Sequence, residues 1–134
     1  MGAPCVEVGA EPETVLLVEP DEELRERAAE ALRADGFRVV EVEDGLELLD
    51  YLEAADVLGP LAPPDVIVAE AELPGPSVLE LVWRLRQRDR VTPIILIASE
   101  ENEDDGRAQA CGVDLVLPWP LDIEQLRTAV TVTA

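Results

Sequence analysis

The sequence predicts one α/β domain: a five-stranded parallel sheet with helices covering both faces. Three observations carry this. Short apolar runs of four or five residues recur along the chain, too short for core helices and too continuous for a half-exposed sheet. Each is followed by an amphipathic helical pattern, and strand and helix alternate five times, which implies right-handed β-α-β units. The chain has 134 residues, the size of a single domain, and 48% of them are apolar although only 3% are aromatic. The core is therefore expected to consist of Val, Leu, Ile and Ala.

The elements follow in order. Val15-Leu16-Leu17-Val18 is the first strand, running into Glu19-Pro20-Asp21. A helix is predicted from about Glu22 to Ala34, with Leu24, Ala28, Ala31 and Leu32 on one face and Gly36 as its stop. Val39 to Val42 forms the second strand. Asp44 opens a second helix with Glu47 in capping-box spacing, and Leu48, Leu49, Leu52 and Ala55 form its apolar face. The Pro- and Gly-rich stretch from Gly59 to Pro64 breaks it. Val66 to Ala69 is the third strand, ending at Glu70. After a loop at Leu73 to Pro76, Ser77 and Glu80 cap a third helix lined by Val78, Leu81, Val82 and Leu85. Ile94 to Ala98 is the fourth strand. The acidic loop from Glu100 to Asp105 leads to a short fourth helix ending near Cys111-Gly112. Leu115 to Leu117 is the fifth strand. Pro118-Trp119-Pro120 follows, and Asp122 with Gln125 caps a fifth helix facing inward with Ile123, Leu126 and Val130. Residues 1–13 are expected to be a tail and 14–134 the domain.

Charge and composition bound the function. The net charge is −20, from 30 acidic and 10 basic residues, every basic one an Arg; there is no Lys and no His. Nucleic acid and anionic membrane surfaces both require a basic face and are disfavoured as partners. No apolar run approaches the ~20 residues needed to cross a bilayer, and the N-terminus has no signal-peptide pattern, so a soluble, cytoplasmic protein is expected. Cys5 and Cys111 read as free thiols. In folds of this kind ligand chemistry gathers beyond the carboxyl ends of the strands.

At those ends the chain resembles a known family. The blocks VLLVEPDEELRERAAEALRADGF, PDVIVAEAELPGPSVLEL, TPIILIAS and CGVDLVLPWPLDIEQL, spread from Thr14 to Val130, are similar to bacterial response-regulator receiver domains. The resemblance implies a flavodoxin-like, doubly wound (βα)5 fold with strand order 2-1-3-4-5. It also implies two-component signalling, in which a histidine kinase phosphorylates an aspartate ending the third strand. An acidic pair after the first strand holds Mg²⁺. A Thr or Ser after strand four and a Lys after strand five contact the phosphoryl group.

This sequence departs at each of those positions. Glu70 matches the phospho-acceptor, Glu19 and Pro20 the acidic pair, Ala98 the Thr/Ser, Trp119 the Lys and Val116 the switch aromatic. Phosphoryl transfer needs a placed carboxylate nucleophile, a divalent cation and positive donors. Glu70 is one methylene longer than Asp, which moves its carboxylate outward by about 1–1.5 Å. Pro20 offers no carboxylate, Ala98 no hydrogen bond and Trp119 no cation.

Glu19, Asp21, Glu70 and Glu72 remain as oxygen ligands for a hard cation, Mg²⁺ or Ca²⁺. The simpler expectation, and the preferred one, is that Asp21, Glu22 and Glu23 favour a helix N-terminus while the others are solvated at a loop rim. Glu70 is either a mimic of the phosphorylated state or a residue released from function. Trp119 either covers the vacated pocket or stands out as a partner contact, and its bond to Pro120 is cis in the resembled family. Trp83 reads as a partly buried surface residue and as a second candidate contact, beside a basic stretch of Arg84, Arg86, Arg88 and Arg90 read as a solvated helix end, with a docking patch as the alternative.

The leading functional expectation is a degenerate receiver, or pseudo-receiver, that is not an enzyme, needs no cofactor and binds another signalling protein or a second copy of itself. The face made by the fourth helix, fifth strand and fifth helix, about Asp104 to Val130, is the expected contact, and the partner acts in trans. The alternative is an atypical phospho-acceptor in a phosphorelay. A nucleotide-binding enzyme is opposed by Glu19-Pro20-Asp21-Glu22-Glu23, which repels phosphate where a cradle would be needed.

Overall fold

The computed structural model describes residues 12–57, 64–73, 77–87, 91–99 and 110–134. The strands are β1 (Thr14–Val18), β2 (Arg38–Val42), β3 (Val66–Glu70), β4 (Ile94–Ala98) and β5 (Leu115–Pro118). The helices are α1 (Glu22–Ala34), α2 (Gly45–Val57), α3 (Val78–Arg86), α4, described at residues 110–111, and α5 (Ile123–Thr133). The strands form one parallel sheet in the order β2-β1-β3-β4-β5.

Strand side chains alternate between faces, so each continuous apolar run feeds two cores. Leu16, Val18, Ile67, Ala69, Ile94 and Leu96 face one way, against Leu48 of α2 and Val78, Leu81, Val82 and Leu85 of α3. Val15, Leu17, Val66, Val68, Ile95 and Ile97 face the other, against Ala28, Ala29 and Leu32 of α1 and Leu126, Ala129 and Val130 of α5. Burying a side chain of this size stabilises the fold by roughly 1.5–3 kcal/mol, which explains how so few aromatics suffice. Ala28 and Ala29 let α1 lie close to the sheet, and its buried stripe includes Ala29 where Leu24 and Ala31 are only partly buried.

The helix starts are set by side-chain caps. The N–H of Leu24 donates to Asp21 Oδ1 at 3.0 Å, that of Glu47 to Asp44 Oδ1 at 2.8 Å, and that of Glu80 to Ser77 Oγ at 3.5 Å. Asp122 Oδ1 accepts from Glu124 and Gln125 N–H at 2.8 and 3.2 Å. α1 ends at Gly36, whose φ of +96° is left-handed, with Phe37 N–H returning to Leu32 O at 3.1 Å. β5 runs one residue beyond expectation, into Pro118. A proline is tolerated there because β5 is an edge strand, paired with β4 alone.

The expected tail, the 59–63 breaker, the loop at 74–76, the acidic loop with most of the fourth helix, and Cys5, Arg88 and Arg90 lie outside the described residues. So do the side chains of Leu52 and Ala55.

Candidate functional site

The carboxyl ends of β1, β3, β4 and β5 define the site, and parallel register assembles it. Val18 pairs with Ala69, so Glu19 and Glu70 stand side by side on strands about 4.8 Å apart. Glu70 pairs with Ile97 and Ala98 with Pro118, which places Trp119 next in line. The Trp119 N–H donates to Ala98 O at 3.0 Å, and the Ala71 N–H to Ile97 O at 2.8 Å. The Trp119–Pro120 peptide is cis.

Glu19 is the first surprise. Its residue is 1% exposed, not solvated at a loop rim as expected. The backbone holds it there: its N–H donates to Val42 O at 2.9 Å, and its carbonyl accepts from Arg25 Nη1 at 2.9 Å. Its Oε2 accepts the Asp21 N–H at 3.1 Å, while Oε1 is buried with no hydrogen-bond partner. Glu70 is also drawn inward, partly buried, with its own Oε2 sealed from water and unpartnered. The solvated-rim expectation fails for both: at the paired ends of β1 and β3, Glu19 is buried and Glu70 partly buried. Burial, then the Glu19 side chain against it, then the charges of Glu19, Glu72 and Asp21 push the Glu70 carboxyl up to about 8.

Beside this pair, Glu70, Ala71, Glu72, Ile97, Ala98, Ser99 and Trp119 line a hollow of about 110 Å³. Trp119 thus forms one wall of this hollow, and at 40% exposure it also meets solvent. Pro20 lies apart, in an open hollow with Glu22, Arg25, Glu43 and Asp44. Val116 packs partly buried against the core on the α2–α3 side of the sheet.

Mg²⁺ does not fit what is present. It keeps several waters and takes carboxylates at near-octahedral angles. Glu19 does not line the hollow, Pro20 has no side-chain ligand to offer, and among the described residues no three acidic, His or Cys side chains converge as a metal site. Of the four oxygen donors proposed from sequence, Glu19 and Glu70 are brought together, Asp21 is engaged as the α1 cap, and Glu72 lies on the hollow's exposed side.

The two tryptophans are on different ends of the molecule. Trp83, 54% exposed, lines a groove with Arg86, Gln87 and residues 110–114. Asp114 N–H donates to Ile94 O, at the amino ends of β4 and β5, opposite Trp119. Arg86 does not belong to a solvated basic stretch. It is 11% exposed; its Nε donates to Gly112 O at 3.0 Å and its Nη2 to Asp114 Oδ2 at 2.9 Å. The same Oδ2 accepts the Ile94 N–H at 2.8 Å. Sequence reading missed this lock; its one visible signal is an acidic residue directly before an edge strand. Arg84 does face solvent, in an i,i+4 pair with Glu80 at 3.7 Å.

Comparison with known proteins agrees with this architecture. The family model of the response regulator receiver domain matches residues 15–131. The chain is 34% identical over 113 residues to the transcriptional regulatory protein TctD of Salmonella typhimurium, covering 84% of this chain and 47% of TctD. It is 28% identical over 119 residues to a cyclic di-GMP phosphodiesterase of Thermotoga maritima, covering 88% of this chain and 30% of that protein. The chain therefore spans less than half the length of these relatives. Among solved structures, the chemotaxis response regulator CheY4 of Vibrio cholerae superposes with a TM-score of 0.77 at 23% identity, covering 92% of this chain and 99% of that one. The match across 15–131 and the strand order 2-1-3-4-5 lead to one conclusion: the chain belongs to the response regulator receiver domain family.

Proposed function

We propose that this chain, as a domain spanning residues 14–134, is a degenerate receiver that signals by protein–protein contact without being phosphorylated and without catalysing a reaction. One observation carries the reading: the hollow is lined by carboxylates, Ala98, Ser99 and the Trp119 indole, with no cationic side chain where phosphoryl transfer needs one. The net charge of −20 supports a protein partner over nucleic acid or a membrane surface. Among the described residues no helix is long and apolar enough to cross a membrane, in keeping with a cytoplasmic site of action. The contact face is that of α4, β5 and α5, where β5 is an edge strand and Leu115 and Trp119 are exposed. Its partner is another signalling protein or a second copy of this chain. The part of this face at 104–109 lies outside the described residues.

Acetyl phosphate with Mg²⁺, followed by intact mass, tests the proposal. The expected mass is unchanged, and a variant carrying Pro20→Asp, Glu70→Asp, Ala98→Thr and Trp119→Lys gains about 80 Da. A stable adduct on the unaltered protein that disappears in Glu70→Ala overturns the proposal in favour of an atypical phospho-acceptor.

A further inference from the structure

We infer that the hollow beside Trp119 receives an arginine side chain from a basic segment of the partner protein, its guanidinium stacked on the indole and bonded to Glu70 and Glu72. The hollow measures about 110 Å³, the volume of roughly three to four waters at ~30 Å³ each, which suits a planar guanidinium. Its walls match that group. Trp119 presents an indole, the ring that attracts cations most strongly, and it is 40% exposed. Glu72 supplies a carboxylate on the exposed side. Glu70, partly buried, supplies acceptor oxygens, and its Oε2 has no hydrogen-bond partner. Among the described residues neither glutamate takes part in an ion pair. A guanidinium brings a flat face for the ring and a fork of N–H donors for the carboxyls; an ammonium carries the same charge without the flat face or the fork.

The charge around the hollow names the chemistry of the partner. Asp21 caps α1 and Glu22 opens it, Glu43 and Asp44 follow β2, Glu72 follows β3 and Asp122 caps α5, all at the carboxyl end of the sheet. Among the described residues Arg25 is the cation at this end, and its guanidinium is turned to the Glu19 carbonyl at 2.9 Å and to Glu41 at 3.5 Å. With a net charge of −20 behind it, this acidic rim attracts a basic segment and repels an acidic one. A second copy of the chain carries the same charge and is the disfavoured occupant of the hollow. The contact deepens the degenerate-receiver reading and rests on it, because it needs a protein partner. The two fail separately: phosphorylation shows as added mass, and loss of this contact shows as an unmoved Trp119 signal.

Titration of the ¹⁵N-labelled chain with a synthetic peptide of alternating arginine and glycine tests it, read by NMR on the two indole N–H signals, which Trp119→Phe assigns. The Trp119 signal is expected to move and saturate, while that of Trp83, at the opposite end of the sheet, stays still. The lysine counterpart of the peptide, equal in charge, should bind about two- to fivefold more weakly. Glu72→Gln should weaken the arginine peptide by about two- to fivefold. Glu26→Gln removes the same charge from the exposed face of α1 and should change the affinity by less than about 1.5-fold. Four results overturn the inference: a Trp119 signal unmoved at millimolar peptide; both indoles moving alike; arginine and lysine peptides binding equally; or Glu72→Gln and Glu26→Gln having the same effect. Guanidinium chloride alone, binding as tightly as the peptide, also overturns it, since the hollow would then take a free small cation and not a partner's side chain.

Discussion

A carboxyl that holds its proton in the folded state and releases it in the unfolded chain makes stability fall with rising pH. Glu70 is raised from its ordinary 4.5 to about 8, chiefly by burial and by Glu19. Between those values the native state binds more protons than the unfolded chain, so the slope of unfolding free energy against pH is negative. The stabilisation is complete below about pH 4.5 and is lost as the pH passes through 8. The full displacement corresponds to a ceiling of about 5 kcal/mol, at ~1.4 kcal/mol per pH unit. Glu70 is only partly buried, and water screens it, so about 2 kcal/mol is expected. Glu70→Gln cannot ionise and donates an amide hydrogen toward Glu19. Urea unfolding of both proteins at intervals from about pH 5 to 9 isolates the effect, because the self-repulsion of the other acidic residues is common to the two. The unaltered protein should lose about 2 kcal/mol relative to the variant across that range. Parallel profiles, or a difference that grows with the opposite sign, would refute the reasoning.

Substitutions at Gly112 and Asp114 test the lock at the other end of the sheet, with Gly36 as a control. Gly112→Ala places a Cβ 2.6 Å from Arg86 Cγ at a φ of +107° and should cost about 2–4 kcal/mol in urea unfolding. Gly36→Ala, at φ +96° with nothing within 4 Å of its Cβ, isolates the backbone strain and should cost only about 1–2 kcal/mol. Asp114→Ala removes the acceptor of both the Ile94 N–H and Arg86 and should cost about 2 kcal/mol by the same measurement, whereas Asp114→Asn keeps an oxygen for Ile94 and should cost about half as much.

Much of this molecule was legible in one dimension because the responsible interactions are local. The apolar runs at Val15–Val18, Val66–Ala69 and Ile94–Ala98 mark buried strands whatever they pair with. Asp21, Asp44, Ser77 and Asp122 sit at their helix starts because a cap reaches only two or three residues ahead. The β5 boundary was less legible: Pro118 reads as a terminator, and only its edge position lets the strand include it. Arg86 reads as one of four exposed arginines until Gly112 and Asp114, 26 and 28 residues on, are seen to hold it.

The division is clearest at the candidate site. Sequence alone determined which chemical groups are present: the side chains of a proline, an alanine and a tryptophan cannot become a carboxylate ligand, a hydroxyl or a cation in any fold. It also determined the α/β architecture, since strand runs and amphipathic helices alternate along the chain. Only the tertiary structure decided the state of the groups that remain. Glu19 and Glu70 are 51 positions apart, and the β1–β3 register brings them side by side, Glu19 buried and Glu70 partly so. An isolated glutamate is charged and hydrated; the raised pKa of Glu70 is a property of its burial and of Glu19 beside it, set by long-range packing that no local pattern encodes.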